Sequence, residues 1–398
     1  MHSNRTRVVL ALALAAAGVA QAADDAAVKS DKISDYLVDL GPGPVSAADL
    51  IGVSASSVTN VQALKDFNVL LTPGSTGSDK TGFGLELTPA RSSLFPQMIS
   101  AAQYVDKAHP IDRVLGSLSL SYAQNTHTLS DLDYRQTSAA IHAGYYINPD
   151  NDPIVAAHSA FAHCVDAQAI GVLEAQGLLS VVSVWRATHQ NAVPTKEELD
   201  QLSKDYAKSD AFVKMVSDAN TAAKTCVAQA AKTKWNAGQV SVTYGAAWIK
   251  PVSGGGSQLS LGRTLSLAGV VPLGDSAVLN LAWRNMRREL DLSTIAATPG
   301  YSQGNLVGGR ITWRGDASRG DTFALVEVSN AKSNSDTLAN TAFKAALGLD
   351  HRIADGVWLE FRFGRSRSES GDKETTKGLL DVTWSPTSTL PKLFAPAG

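Results

Sequence analysis

The sequence has few charged residues, and the two signs almost cancel. Of 398 residues, 35 are Lys or Arg and 37 are Asp or Glu, so the formal net charge is -2. This balance excludes the basic footprint of a general nucleic-acid binder. Charged residues make up 18% of the chain and hydrophobic residues 44%. That composition fits neither a disordered chain nor a polytopic helical membrane protein.

The first 22 residues are typical of an export signal. Arg5 and Arg7 precede an apolar run from Val8 to Val19, and Ala20-Gln21-Ala22 places small residues at a cleavage site. The run is too short to remain as a membrane anchor. We therefore expect an exported protein that is cleaved after Ala22.

Cysteine is scarce, because Cys164 and Cys226 are the two that the sequence contains. An even pair in an oxidising compartment predicts one disulfide. Neither cysteine has partners at metal-ligand spacing. We expect no metal and no cofactor.

A long helical insert is predicted between residues 148 and 237. From Pro153 to Trp235 apolar residues recur every three or four positions, which indicates helix. Pro194 interrupts the pattern, and Thr195-Lys196-Glu197-Glu198 is a capping box that starts a second helix. The two cysteines are equidistant from residue 195. These signals predict an antiparallel helical hairpin that the disulfide joins near its base.

Outside the insert, apolar and polar residues alternate along segments of about ten residues. Val240, Val242 and Tyr244, for example, alternate with Ser241 and Thr243. Long alternating segments are typical of a transmembrane β-barrel. A soluble β-sandwich is the alternative, since its outward face is also polar. Tryptophans near predicted strand ends favour the barrel, as an aromatic girdle would: Trp235, Trp248, Trp313 and Trp384.

The alternation predicts an all-β barrel of about twelve antiparallel strands. We divide the chain into a signal peptide (1–22), an N-terminal periplasmic or plug segment (23–65), first strands (66–147), the insert (148–237), further strands (238–385) and a tail (386–398). A mere linker is an equal possibility for residues 23–65, because Gly41-Pro42-Gly43-Pro44 breaks the strand pattern.

Loop lengths predict the orientation of the barrel. The connections at 272–276, 315–320 and 354–356 are tight, whereas those at 288–305, 330–340 and 366–376 are longer and polar. Outer-membrane barrels have short periplasmic turns and longer external loops. The insert and both termini are then expected on the periplasmic side.

The chain resembles the outer-membrane β-barrel class of Gram-negative bacteria. Tyr145-Tyr146-Ile147-Asn148-Pro149, Asp152-Pro153, an insert with Cys164 and a return at Trp235-Asn236 are similar to predicted outer-membrane proteins of unassigned function. This resemblance implies a barrel in the outer membrane. It implies no substrate and no catalytic residues.

The inward-facing positions are the candidate functional residues. In a water-filled channel mixed charges tune selectivity, whereas in a narrow barrel they pair and close it. By alternation these positions are Glu86, His142, Arg284, Arg310, Lys344, Asp350, Glu360, Arg362 and Asp381.

The first hypothesis is a channel or transport component whose hairpin reaches a periplasmic or inner-membrane partner through residues 153–235. A plugged barrel that serves as a structural or docking platform is the second. A lipid hydrolase using His142 and a nearby Ser138 is the third, and we do not expect an enzyme because the nucleophile-elbow pattern is missing. The expected partners are membrane lipid and that protein, with no nucleic acid.

Overall fold

The structure is a computed structural model with two compact units. It describes residues 32–51, 58, 65–72, 79–92, 98–129, 132–168, 170–190, 192–253, 257–290, 301–315, 321–335, 339–368 and 375–385. The predicted signal peptide and C-terminal tail lie outside these residues. One unit spans Lys32–Val155 and Ala231–Ser388, and the other contains Ala156–Ala230.

The first unit is a closed antiparallel barrel. Each strand pairs with the next along the chain, and β1 pairs with β12 to close the sheet. The prediction of about twelve strands is confirmed. The strands are β1 (Phe67–Thr72), β2 (Asp79–Leu87), β3 (Ser119–Leu129), β4 (Leu132–Tyr146), β5 (Gln239–Pro251), β6 (Leu259–Pro272), β7 (Ala277–Leu290), β8 (Tyr301–Arg314), β9 (Thr322–Ser335), β10 (Ala339–Ala354), β11 (Val357–Ser368) and β12 (Thr375–Trp384).

The barrel has apolar side chains on its outside and polar side chains on its inside. Leu120, Ile141, Tyr244 and Leu265 are neighbours across four successive strands, and each is at least 39% exposed. A soluble β-sandwich would bury such residues between its sheets. An outer wall of this kind matches a barrel surrounded by lipid, so the sandwich alternative is wrong.

The two ends of the barrel differ in their connections. At one end, residues 273–276 and 355–356 form short turns, and we call this the short-turn end. The same end carries the β2–β3 connection, with helices α2 (Ala101–Val105) and α3 (Pro110–Gly116), and the insert between β4 and β5.

The expected long loop at 330–340 is a strand hairpin instead. β9 continues to Ser335 and β10 begins at Ala339, with Ala339 paired to Asn334. Residues 330–340 are mostly polar, and for that reason the sequence suggested a loop. The backbone hydrogen bonds between β9 and β10 nevertheless continue through this region, where both faces of the sheet are polar.

One of the four predicted girdle tryptophans points inward. Trp313 and Trp384 are 42% and 45% exposed on the outer wall, whereas Trp235 is buried. The Trp235 ring centroid lies 5.6 Å from that of Phe323, and its Nε1 donates to the carbonyl of Asp275 at 3.1 Å. Trp235 precedes β5, so strand alternation does not determine its direction.

The described residues of the insert contain four α-helices. They are α4 (Pro153–Asp166), α5 (Ile170–Thr188), α6 (Lys196–Ala207) and α7 (Asp210–Lys232). The Thr195 amide donates to Glu198 at 2.7 Å, and the Glu198 amide donates to Thr195 Oγ1 at 3.3 Å, which is the predicted capping box. Cys164 and Cys226 form the predicted disulfide, with their Cα atoms 5.7 Å apart.

Each arm of the insert is interrupted, where we expected one continuous helix per arm. In the second arm the break has a local cause, because Ser209 Oγ accepts from the Phe212 amide at 3.3 Å and so starts a new helix. No helix in the described ranges is long and apolar enough to cross a membrane.

Candidate functional site in the barrel lumen

The N-terminal part of the chain lies inside the barrel. Residues 39–51, which we call the plug segment, include a short helix, α1 (Ser46–Leu50). This helix contacts β2, β3, β4 and β5, and Ala47 and Ala48 have no exposed surface. The sequence left a plug, a periplasmic segment and a linker open for residues 23–65, and the described residues 46–50 of that segment lie against the inner wall.

Hydrogen bonds from the wall hold the start of α1. The Ser46 amide donates to Glu86 Oε2 at 2.7 Å, and the Ala47 amide donates to Ser121 Oγ at 2.9 Å. Ser138 Oγ donates to the carbonyl of Ala47 at 2.6 Å. A five-residue helix is not stable alone. The wall therefore supplies the partners that keep α1 folded.

The carbonyls on either side of α1 are also bound by the wall. Asn68 Nδ2 donates to Pro44 at 3.1 Å, and Asn125 Nδ2 donates to Ile51 at 3.3 Å. Arg284 donates to the carbonyl of Asp49 at 3.1 Å. The plug segment is thus held along its length by side chains from several strands.

Glycine on the wall gives the plug segment room. A Cβ added at Gly84 would lie 2.7 Å from Val45 Cγ1 and 3.3 Å from Ala48 Cβ, whereas Ala123 Cβ, on the neighbouring strand of the wall, would be at 3.6 Å. On the opposite side, a Cβ at Gly308 would lie 2.7 Å from Val58 Cγ2. Glycine within a strand often marks a close backbone approach, and here the approaching chain is the plug.

Asp39 ties the base of the plug to the short-turn end. Its carboxylate accepts from Trp358 Nε1 at 2.9 Å and from the Gly356 amide at 3.1 Å, and it forms a buried ion pair with Lys65. Lys65 lies just before β1. The Asp39–Lys65 ion pair therefore holds both ends of the segment 39–65 together at the short-turn end of the barrel.

A second carboxylate organises the same end of the barrel. Asp321 pairs with Arg314 at 2.8 Å, with Arg352 at 2.9 Å and with Lys232 at 3.6 Å. Burial alone would raise the pKa of Asp321, but the Arg314 hydrogen bond and the three cations lower it below its ordinary value of 3.8. This network lies beside the packed side chains of Trp235, Phe323 and Trp358.

The predicted inward residues all lie on the inner face. Glu86 and Arg284 hold the plug, as described above. Arg362 pairs with Asp350 and, at 3.3 Å, with Glu360. Their effect on ion selectivity stays a prediction. Seven of the nine are buried, namely Glu86, His142, Arg284, Arg310, Asp350, Arg362 and Asp381, while Lys344 and Glu360 are partly exposed.

Two serine hydroxyl groups near His142, those of Ser138 and Ser119, are engaged elsewhere. His142 Nδ1 lies 2.9 Å from Thr243 Oγ1. Ser138 donates to the plug carbonyl, and Ser119 Oγ donates to Glu86 Oε1 at 2.7 Å. A serine hydrolase needs a hydroxyl bonded to the base, and these serines donate to other groups.

Sequence reasoning missed a set of neutral polar residues on the wall. Gln239 and Asn280 have no exposed surface, and neither amide has a hydrogen-bond partner among the described residues. An unpaired buried amide costs about 1–3 kcal/mol. A cavity of about 10 Å³, near the minimum for one water molecule, is lined by residues that include Ser241, Thr243, Ser266 and Arg284. Alternation places these positions on the inner face, but the candidate residues chosen from the sequence were mostly charged.

Comparisons with known proteins give distant similarity in architecture. The chain is similar to the CymD monoaromatic hydrocarbon channel, at 8% identity and a TM-score of 0.37, covering 88% of this chain and 98% of that one. It is also similar to the KdgM porin, at 9% identity and a TM-score of 0.30, covering 81% of this chain and 98% of that one. The beta domain of the Bordetella autotransporter BrkA matches at 8% identity and a TM-score of 0.30, covering 80% of this chain and 98% of that one. No family model and no curated protein matches the chain. Values this low carry no information on function.

We expect the Asp321 network to make the barrel sensitive to acid. A carboxyl group whose pKa is lowered by folding stabilises the fold above its unfolded pKa, about 3.9, and loses that effect as the pH falls through its folded value. Asp321→Asn should cost about 2 kcal/mol at pH 7, and this difference from the parent should shrink below about pH 4. Thermal unfolding in detergent, followed by tryptophan fluorescence, measures both.

Asp355→Asn is the matched control for this prediction. Asp355 lies in a neighbouring turn and its side chain is 85% exposed, so its loss should change little at either pH. Equal effects of the two substitutions at pH 7, or an Asp321 effect that does not shrink as the pH falls below about 4, would contradict the assignment.

Proposed function

We propose that this protein is an outer-membrane transport channel of a Gram-negative bacterium and that the plug segment is its gate. The observation that carries the proposal is the polar fit between the plug and a polar inner wall. The apolar outer wall and the even strand number support the membrane assignment. The predicted signal peptide, cleaved after Ala22, supports export.

Two features of the plug favour a movable gate over a permanent filling. First, its contact with the wall includes hydrogen bonds to polar side chains, such as Glu86, Ser121 and Ser138, which water can replace, and its apolar contact is mostly with small alanine side chains of the wall. Second, it is a loop attached to β1 by its returning end, so it can move without the barrel opening. A twelve-stranded barrel lies between filled barrels of about eight strands and open porins of about sixteen.

The alternative is a permanently plugged barrel that acts as a docking platform. The buried ion pair between Asp39 and Lys65 favours it, because breaking a buried pair costs about 3–5 kcal/mol. The two proposals differ in whether the plug can leave the lumen. Conductance of the folded protein in a planar bilayer separates them.

Gly84→Leu should open the channel. The new side chain would occupy the position of Val45 and Ala48, so the plug would be displaced while the wall strands remain paired. We expect the variant to spend about 5-fold to 150-fold more time in conducting states, since a steric clash of this kind costs about 1–3 kcal/mol.

Gly378→Leu is the matched control, because a Cβ added at Gly378 meets no atom within 4 Å. It should conduct as rarely as the parent chain. The account fails if heat-modifiable, folded Gly84→Leu protein stays silent, or if both variants conduct alike.

A disulfide between plug and wall should have the opposite effect. The 3.3 Å between Ala48 Cβ and a Cβ at Gly84 is close to the Cβ separation of disulfides, about 3.5–4.5 Å. The Ala48→Cys/Gly84→Cys protein should be silent when oxidised and conduct after reduction. The parent chain with and without reductant, and each single cysteine variant, control for reduction of Cys164–Cys226.

We also propose that the helical insert contacts a periplasmic protein. Leu179, Val184 and Val213 are large aliphatic side chains of the insert that are each at least 47% exposed, and a protein partner would cover such apolar surface. The periplasmic location of the insert follows from loop lengths alone and is part of this proposal.

A photo-crosslinking residue at Val184 tests this contact in intact cells. We expect one discrete adduct from Val184 and none from Lys204, an exposed polar position on α6. The same diffuse pattern from both positions, or no adduct from either, would reject a specific partner on this face.

A further inference from the structure

We infer that one side of the lumen, formed by β4, β5 and β7, is a binding site for neutral solutes that carry several hydroxyl groups, such as sugars. The inference rests on the proposed channel function and names the class of molecule that the channel passes. It is carried by four buried side chains, His142, Gln239, Ser241 and Asn280, which we call the neutral patch.

The neutral patch is brought together by strand register. A Cβ at Gly144 would lie 2.6 Å from Gln239 Nε2 and 3.9 Å from His142 Nε2, so both side chains reach over this glycine. Gln239 pairs with Val270, which in turn pairs with Asn280. Ser241 is two residues from Gln239 on the same face of β5. The four side chains therefore share one area of the inner wall.

Six polar side-chain atoms of the neutral patch have no partner within the described part of the chain. This holds for His142 Nε2, for Ser241 Oγ and for both amide atoms of Gln239 and of Asn280. At most 7% of any of these residues is exposed. Amide groups donate and accept hydrogen bonds without carrying charge, and so do hydroxyl groups. The patch thus offers a solute several donors and acceptors.

The charged residues of the lumen are already engaged. Arg362 pairs with Asp350 and Glu360, and Glu86 accepts from Ser46 and Ser119. Selective ion channels instead present a ring of one charge sign or of carbonyl groups to the ion. Apart from Arg284 Nε, the free hydrogen-bonding atoms on this side of the wall belong to neutral side chains, which favours a neutral solute over an ion.

The space for a solute would come from movement of the plug. The cavity lined by Ser241, Thr243, Ala282 and Arg284 has a volume of about 10 Å³, which is far too small for a sugar. However, Arg284 also donates to the plug carbonyl of Asp49, so the cavity adjoins the plug. The short side chains of Ala268 and Ala282, which also line the cavity, fill little of the space beside the wall. Once the plug leaves, the cavity becomes part of the lumen.

Xylose, a neutral pentose, is the probe for this site. In planar bilayers with potassium chloride, the Gly84→Leu protein should conduct with little preference for cation or anion, and xylose should interrupt the current in a concentration-dependent way. Adding Gln239→Leu and Asn280→Leu should weaken the xylose block about tenfold, since two neutral hydrogen bonds are lost.

Gln136→Leu in the same background is the matched control. Gln136 is buried on the inner face of β4, six residues from His142 and so about 20 Å along the strand. This substitution should leave the xylose block unchanged.

The outcomes separate the two proposals. No current from folded Gly84→Leu protein would reject the channel and, with it, the solute site. Current that xylose does not interrupt, strong selectivity for one ion sign, or equal xylose block of the Gly84→Leu protein with and without Gln239→Leu and Asn280→Leu would overturn the neutral site and leave the channel standing.

Discussion

The hydrogen bonds between α1 and the inner wall are the interaction on which the rest of the structure depends. A closed barrel uses its backbone groups between strands, so the side chains on its inner face need other partners. Glu86, Ser121 and Ser138 find these partners on Ser46 and Ala47. The fit in turn requires the glycine at position 84. Asp39 holds the base of the same segment. If the plug left the lumen, these inner-wall side chains would need water as their hydrogen-bond partner instead.

Much of the barrel could be predicted because period-two alternation directly reports which face of a strand meets lipid. The helical turn and the disulfide followed from a capping box and from the equal spacing of two cysteines. The path of the plug could not be predicted, because Gly41-Pro42-Gly43-Pro44 shows no alternation of apolar and polar residues. It indicates only that no strand forms there. A signal existed at Gly84, a glycine on an inward position, but it does not name the segment that fills the space. Trp235 was placed wrongly because it lies just outside a strand, where alternation no longer applies.

The lumen has two chemically different sides. On β10, β11 and β12 the charged side chains are joined to one another, as in the pairs of Arg362 with Asp350 and Glu360. On β4, β5 and β7 the inward residues other than Arg284 are neutral, and several of them retain free donors and acceptors. The candidate residues chosen from the sequence were mostly charged, because a charged residue at an inward position stands out in the alternating pattern. Register was needed to see that the charges satisfy one another and that the neutral residues do not.

Hydrogen exchange of the plug amides tests the central claim most directly. The full chain in lipid would be pulsed with deuterated water and the exchange of residues 46–50 compared with that of strand β5. If α1 is held by Glu86 and Ser121 as described, the amides of Ser46 and Ala47 exchange much more slowly than free peptide, and Glu86→Ala removes that protection while β5 stays protected. Exchange of these amides at the rate of free peptide in the intact protein would contradict a plugged lumen.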